Sequence, residues 1–236
     1  MTGATVLHDH RRVKIDGTTC IIILVVSRPY QLKQRADRQH ETRQRIIEAT
    51  IELHQTIGPA ATTITEIAER AGVGRVTVYR HFPEELSLDR ACSGLYFERN
   101  PAPDPGSWKT VANPVERLRL GLGETYAYHA RTEQMITRAL ADARDHPVMA
   151  PYHAHWARAA RVLLEPWPTS GRRRKLLSAA LALAVSFDSW RTLVRVQRLS
   201  HPQAIDLIER LTRESASAER PEEHPDAVGG VRKLSD

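Results

Sequence analysis

The sequence predicts an all-α fold built as two helical domains. Apolar residues make up 41% of the 236 residues, which is enough for a buried core, whereas aromatic residues make up only 6%. Apolar side chains recur at helical spacing along most of the chain, and the alternation of a half-buried strand is scarce. We divide the chain into a disordered extension or misassigned start at residues 1–38, a small domain at 39–99, a larger domain at 107–214 and a disordered tail at 215–236.

The excess positive charge lies near the N-terminus. The chain has a net charge of +6, and residues 11–45 include nine basic and three acidic residues. This charge balance permits binding to a polyanion without requiring it. The apolar run at residues 21–26 is too short to span a bilayer, and no small-residue cleavage site follows it. The extension is either real or upstream sequence read from a misplaced start. We favour the second, which an intact Met1 peptide in mass spectrometry of the native protein would contradict.

An apolar stripe and a helix cap indicate the first two helices of the small domain. Helix one is predicted at residues 41–58, where apolar side chains recur at helical spacing until Gly58 and Pro59 end it. Thr63 precedes Glu66 at the spacing of a capping box, so a short second helix begins there.

A tight turn and a third short helix follow. Gly72 breaks the second helix, Val73 points inward, and residues 75–82 form the next helix with Val78 and Phe82 on one face. Two short helices joined by one tight turn are the layout of a helix-turn-helix, in which the second helix enters the major groove of DNA.

The remaining helices are predicted from the same spacing. One more helix of the small domain runs from residue 84 to about residue 99, where the prolines of residues 100–106 end it. The larger domain is expected to contain five helices, at residues 114–131, 132–145, 147–164, 171–199 and 201–213.

The helix-turn-helix closely resembles the signature of the tetracycline-repressor (TetR) family. The similar segments are residues 62–73 and 77–82, and residues 186–193 also look like the penultimate helix of many such regulators. The resemblance implies an N-terminal three-helix DNA-binding domain and a C-terminal helical domain that binds an effector and dimerises. It further implies a cytoplasmic transcriptional repressor that releases a palindromic DNA operator when a small-molecule effector binds.

The resemblance also implies roles for residues of the recognition helix. Arg75, Val76 and Thr77 occupy its base-facing start, where Arg suits guanine and the methyl groups of Val and Thr suit thymine. Tyr79 and His81 match positions that touch phosphates.

Three positions depart from the family pattern. Gly74 replaces the usual Ser cap, Val76 replaces a small residue, and Glu85 replaces a Lys that holds a phosphate. Glycine is still a tolerable cap, but the acid at position 85 leads us to expect a weaker non-specific grip on DNA.

Two further groups could contact the DNA backbone, each with a structural alternative. Thr63 and Thr65 begin helix two, where a hydroxyl could bond a phosphate, but helix capping by itself explains Thr63. The bases before and within helix one could act as an arm along the DNA, or only as a solubilising tail; they are Lys33, Arg35, Arg38, Arg43 and Arg45.

The larger domain offers candidates for an effector pocket and a dimer interface. Aromatic and soft side chains there could line a pocket, although most such residues are ordinary core; the candidates are Tyr126, Met149, Tyr152, Trp156 and Trp190. Residues 176–185 are apolar on nearly all sides, so with the last helix they could form half of a two-fold four-helix interface. Its candidates are Ala180, Leu183, Ala184, Phe187, Ile205, Ile208 and Leu211.

Other classes of function receive little support. The sequence contains no glycine-rich phosphate loop, nucleophile signature or paired metal-ligand motif, so we expect neither an enzyme nor a cofactor or metal site. His153 and His155 would diverge on a helix, and Cys20 and Cys92 indicate no disulfide framework. We expect a homodimer with no membrane partner. The alternatives are a helical-bundle enzyme of unknown chemistry and a ligand-independent activator or nucleoid-type binder.

Overall fold

The computed structural model describes residues 11–15, 18–22 and 28–217. The chain divides into two compact units, the first ending at Tyr96 and the second beginning at Phe97. The predicted all-α class is confirmed, with one exception among the described residues. That exception is a two-stranded antiparallel hairpin, formed by β1 (Arg11–Ile15) and β2 (Thr18–Ile22) with Val13 opposite Cys20.

The described part of the first unit contains three complete helices and most of a fourth. These are α1 (Arg28–Thr56), α2 (Ile64–Ala71), α3 (Arg75–His81) and α4 (Glu85–Arg99), of which α4 continues past the boundary between the units. The helix-turn-helix packs on α1 through α2. The apolar stripe predicted for helix one is buried, together with one face each of α2, α3 and α4; the core includes Ile46, Ile47, Leu53, Ile67, Val78, Phe82 and Leu88.

The first helix begins at Arg28, whereas the apolar stripe predicts a start near residue 41. Residues 32–41 are exposed, so no stripe marks them as helical. Their Lys, Arg, Gln and Ala side chains suit a helix, and a proline is compatible with its first turn. Residues 28–38, predicted as part of a disordered extension, are therefore helical. Residues 1–10, 16, 17, 23–27 and 218–236 lie outside the described part of the chain.

The second unit is a bundle around one apolar core. Its helices are α5 (Pro114–Asp142), α6 (Ala150–Leu164), α7 (Gly171–Ala184), α8 (Phe187–Arg191) and α9 (His201–Ala216). Short 3₁₀ turns at Ser107–Thr110 and Pro147–Met149 precede α5 and α6, and a π turn at Thr192–Val196 follows α8. The packing of α7 against α9 and α6, and of α5 against α9, encloses the core.

Two predicted breaks differ from the structure. The helices predicted at 114–131 and 132–145 are one continuous helix, because Thr132 donates its hydroxyl to the Tyr128 carbonyl at 2.9 Å instead of capping a new helix. The single helix predicted at 171–199 is interrupted after Ala184. There Ser186 donates to the Leu183 carbonyl at 2.9 Å and accepts from the Ser189 amide at 3.2 Å, so it ends one helix and caps the next.

No single helix in the described ranges is long and apolar enough to cross a membrane. Gly171–Ala184 and Phe187–Val196 reach that length and composition only together, and the pair is bent by 62°.

Candidate functional site

The turn between α2 and α3 is held by backbone geometry. Gly72 ends α2 in the left-handed region with φ 65°, which a glycine adopts at no steric cost. The Val73 amide donates to the Ala68 carbonyl at 2.9 Å, closing the turn. Gly74 then starts α3 in an extended conformation and supplies no side-chain cap. The direction of α3 is therefore set within three residues.

The inner face of α3 anchors the helix to the rest of the unit. Val78 is fully buried and Phe82 is 4% exposed. The Arg43 guanidinium of α1 lies over the Phe82 ring, 4.7 Å from its centroid, a cation–π contact. Helix α3 is thus held against the rest of the unit by two apolar side chains and one arginine.

The outer face of α3 presents most of the residues predicted to contact DNA. Val76 is 71% exposed and Tyr79 48% exposed, although large apolar and aromatic side chains are usually covered. Arg75 is exposed, while Thr77 and His81 are half-buried. Five predicted residues therefore lie on one short helix, and Val76 is more exposed than Tyr79.

Arg80 is a candidate that the sequence reasoning missed. It is exposed and lies one turn beyond Val76, on the same face of α3. The spacing of four residues was the available signal, but the family resemblance drew attention to Tyr79 and His81 instead.

Two of the bases predicted for a DNA arm have structural contacts. The Arg45 guanidinium donates to the Ala71 carbonyl at 3.1 Å, which satisfies the last turn of α2. Arg43 covers the Phe82 ring. Lys33, Arg35 and Arg38 are exposed on the first turns of α1 and are the remaining candidates for an arm.

Thr63 forms the predicted capping box. Its hydroxyl donates to the Glu66 carboxylate at 2.9 Å and accepts from the Glu66 amide at 3.2 Å, while the Thr63 amide donates to the carboxylate at 2.8 Å. These hydrogen bonds from Thr63 lower the pKa of Glu66. The hydroxyl is thus already engaged, whereas the exposed Thr65 is placed at the positive end of α2.

The described part of the second unit contains an apolar cavity of about 230 Å³. Tyr152, Trp156 and Phe187 supply aromatic walls, and the Arg144–Asp188 ion pair lies at its exposed rim with 3.0 Å between nitrogen and oxygen. Of the five residues predicted for an effector pocket, Tyr152 and Trp156 line this cavity. Tyr126, Met149 and Trp190 are buried in the core and do not line it.

His129 is a buried polar residue that the sequence reasoning did not single out. It is fully buried beside Trp156 and Phe187, with ring centroids 4.8 and 5.5 Å away. Burial lowers its pKa to about 4, against the opposing effect of its hydrogen bond to the Val185 carbonyl. The neutral ring donates from Nε2 to that carbonyl at 3.0 Å. It thereby holds Trp156 and Phe187, two walls of the cavity, in place.

The residues predicted for a dimer interface divide into two groups. Leu183 and Leu211 are 63% and 55% exposed, and Ala180 and Ile208 are half-buried, so these four are available to a partner. By contrast, the chain's own core buries the other three predicted residues, which are Ala184, Phe187 and Ile205. The sequence indicated α7 and α9 for the interface. A segment that is apolar on nearly all sides, however, does not reveal which side faces outward. Two leucines that were not among the named candidates, Leu176 and Leu207, are exposed on the same helices.

Other reactive groups give little indication of chemistry. Across the described ranges, no group of three or more His, Cys, Asp or Glu residues is arranged to hold a metal ion. Cys92 is buried, and burial raises the pKa of its thiol to about 12, which opposes a role as a nucleophile.

Known proteins resemble this chain over part of its length, and the match with stated bounds lies in the N-terminal unit. The profile of bacterial regulatory proteins of the tetR family matches residues 46–84. The transcriptional repressor KstR of Mycolicibacterium smegmatis is 33% identical over 89 residues, 38% of this chain and 44% of that protein. KstR of Rhodococcus jostii is 32% identical over 105 residues, 44% of this chain and 48% of that protein. The matched segment thus spans less than half the length of either relative.

Two solved structures share the fold. A candidate fatty acid metabolism regulator of Clostridium perfringens aligns with a TM-score of 0.52 at 16% identity, over 74% of this chain and all of that one. A TetR-like transcriptional regulator from Rhodococcus sp. RHA1 aligns with a TM-score of 0.50 at 22% identity, over 73% of this chain and 94% of that one. At these identities the likeness concerns the fold alone. Residues 46–84, which contain the helix-turn-helix, therefore match the DNA-binding domain of the tetR family of bacterial regulatory proteins.

Proposed function

We propose that the protein is a homodimeric transcriptional repressor that binds a palindromic DNA operator and releases it when a small molecule occupies the cavity of the second unit. The outer face of α3 carries the DNA-binding part of the proposal. A helix anchored by Val78 and Phe82, with Arg75 and Val76 exposed, suits insertion into a major groove.

Each exposed residue has a chemical role in groove recognition. Arg75 pairs with the O6 and N7 atoms of a guanine, and Val76 packs against a thymine methyl group. Tyr79, His81 and Arg80 contact phosphates, which fix the register of the helix without reading sequence. Thr77 adds a hydroxyl and a methyl group at the edge of the same face.

The start of α4 weakens the grip on the DNA backbone. Glu84 and Glu85 are exposed where α4 begins, and acids at that end stabilise the helix. Close to a phosphate the same charges are repulsive. Specific contacts from α3 therefore provide a larger share of the affinity than in a relative with a lysine at position 85.

Two copies of the chain read the two halves of a palindrome. The exposed Leu183 and Leu211 supply apolar surface for a two-fold interface between α7 and α9 of each copy. Helix α4 continues from the first unit into the second, so a small molecule that displaces it changes the spacing of the recognition helices. The names of the matched relatives as repressors support repression over activation.

A footprint of the purified full chain on the DNA upstream of its own and neighbouring genes tests this proposal. We expect protection of a palindrome whose half-sites are about one helical turn apart. Transcription from the same fragment should fall when the protein is added. A protein that protects no site, or that raises transcription, contradicts the proposal.

A further inference from the structure

The cavity of the second unit has an apolar interior and a charged rim, and this difference indicates what it binds. Its inner walls, Tyr152, Trp156 and Phe187, are 7%, 7% and 4% exposed. Its rim is the exposed ion pair between Arg144 and Asp188. A ligand entering past the rim therefore meets a mostly apolar, aromatic interior.

The size of the cavity suits a ligand of about one ring. An apolar cavity of roughly 150 Å³ holds benzene. The present cavity measures about 230 Å³ and is open on one side, so its interior holds a single ring with a short substituent.

The electrostatics of the cavity favour a neutral ligand. Arg144 and Asp188 already neutralise each other at the rim, and the inner walls supply no counter-charge. Moving an ion among such side chains without a partner is strongly unfavourable.

One hydrogen-bond donor in the cavity walls, the Tyr152 hydroxyl, has no acceptor. Tyr152 Oη and Trp156 Nε1 are both buried, and no acceptor for the Tyr152 hydroxyl lies among the described residues. Burial raises the pKa of the Tyr152 phenol, and a hydrogen bond from the Trp156 indole N–H to its oxygen offsets this only in part, so the hydroxyl remains protonated. A buried donor without an acceptor is destabilising, and a bound acceptor removes that penalty.

We propose that the cavity binds a small, neutral, single-ring aromatic molecule with one hydrogen-bond acceptor, which takes its hydrogen bond from the Tyr152 hydroxyl. Only the role of this molecule as an effector rests on the proposed function, and its binding to the cavity does not. The rings of Trp156 and Phe187 enclose the ligand ring, and His129 holds both of them in place from the core.

The test compares two probes of nearly equal shape that differ in the acceptor. Acetophenone carries a carbonyl oxygen and ethylbenzene does not. In calorimetric titrations of the full chain, we expect acetophenone to bind about three- to tenfold more tightly, the range for one net hydrogen bond. Tyr152→Phe should abolish most of this preference while still binding ethylbenzene.

Tyr126→Phe is the matched control. Tyr126 Oη is also buried without a partner, but Tyr126 does not line the cavity, so this variant should keep the preference of the unaltered chain. Both variants remove an unpaired buried hydroxyl, so neither is expected to lose stability. Retention of the preference in Tyr152→Phe, its loss in Tyr126→Phe, or no binding of either probe would overturn the proposal.

The same samples separate this inference from the proposed function. Operator binding is measured with and without acetophenone. Binding in the cavity that leaves operator affinity unchanged sustains the ligand class and contradicts effector control. Intact operator binding by a chain that binds neither probe contradicts the ligand class and leaves DNA recognition standing.

Discussion

Gly72 and Gly74 lie two residues apart in the helix-turn-helix. Substitution should destabilise the fold at Gly72 and stabilise it at Gly74. Gly72 has φ 65° and Gly74 has φ −78° with ψ 152°. We compare Gly72→Ala with Gly74→Ser, both in a Cys20→Ser background. The two changes lie on either side of the same turn, so they form an internal control for each other.

The magnitudes follow from the local geometry. A Cβ at position 72 would lie 3.7 Å from the Arg45 guanidinium, an ordinary contact, so the penalty is that of a left-handed alanine, about 1 kcal/mol. A Cβ at position 74 meets nothing within 4 Å, and the extended backbone there is that of a helix cap. Serine adds a capping hydroxyl and reduces the freedom of the unfolded chain, for a gain of about 0.5 kcal/mol.

Thiol labelling of Cys92 measures the opening of the first unit separately from the second. The chain has two cysteines, so the Cys20→Ser background leaves Cys92 as its single thiol, and that thiol is buried in α4. Under conditions where reclosing is faster than labelling, the rate follows the opening equilibrium. Gly72→Ala should raise the labelling rate about fivefold, and Gly74→Ser should lower it about two- to threefold. Equal effects of the two substitutions, or faster labelling of Gly74→Ser, would refute the geometry of the turn.

Three further predictions address other parts of the molecule. Because the folded pKa of Glu66 is lowered, its charge stabilises the fold above its ordinary pKa of 4.5, and that stability is lost as the pH falls through the lowered value. The stability difference between the unaltered chain and Glu66→Gln in urea unfolding should therefore vanish on acidification; a constant difference contradicts a charged cap. Removal of residues 1–40 deletes Lys33, Arg35 and Arg38 but keeps Arg43 and Arg45, so the logarithmic salt slope of DNA binding should become shallower by about one for each phosphate that the deleted bases neutralise. An unchanged slope identifies a solubilising segment instead. Leu183→Lys should convert a dimer to a monomer in sedimentation experiments, whereas Leu120→Lys, at the 39% exposed Leu120 of α5, should not; a dimer that persists in Leu183→Lys places the interface elsewhere.

The helix-turn-helix could be predicted from sequence because its determinants are local. Thr63 and Glu66 are three residues apart in a capping box, and Gly72 is the residue that the turn needs. Val78 and Phe82 lie one helical turn apart, so their shared buried face follows from helix geometry alone. Such features depend on near neighbours, and the structure has the predicted helices at these positions.

Features that depend on distant neighbours could not be predicted in the same way. The first turns of α1 are solvated, so they carry no apolar pattern to mark their start. Arg45 is one of several bases in sequence, and only the fold brings it to the Ala71 carbonyl. In the second unit, residues 176–185 are apolar on nearly all sides, so the burial of Ala184 and the exposure of Leu183 depend on where the neighbouring helices pack.

The cavity illustrates the same limit for a binding site. Tyr126, Tyr152 and Trp190 are equally aromatic in sequence, yet only Tyr152 of these three lines the cavity. The break between α7 and α8 at Ser186 brings Phe187 and Asp188 to its edge, and the predicted continuous helix does not contain that break.

We propose that the outer face of α3 reads DNA sequence, and selection of bound duplexes from a random pool tests this role most directly. The unaltered chain should enrich a palindrome. Arg75→Ala should still bind but lose base preference at one position in each half-site, at a cost of about 1–3 kcal/mol per altered contact. Arg172→Ala, which removes an exposed base from α7, should enrich the unaltered palindrome. An Arg75→Ala variant that selects the same sequence with the same affinity would contradict the account.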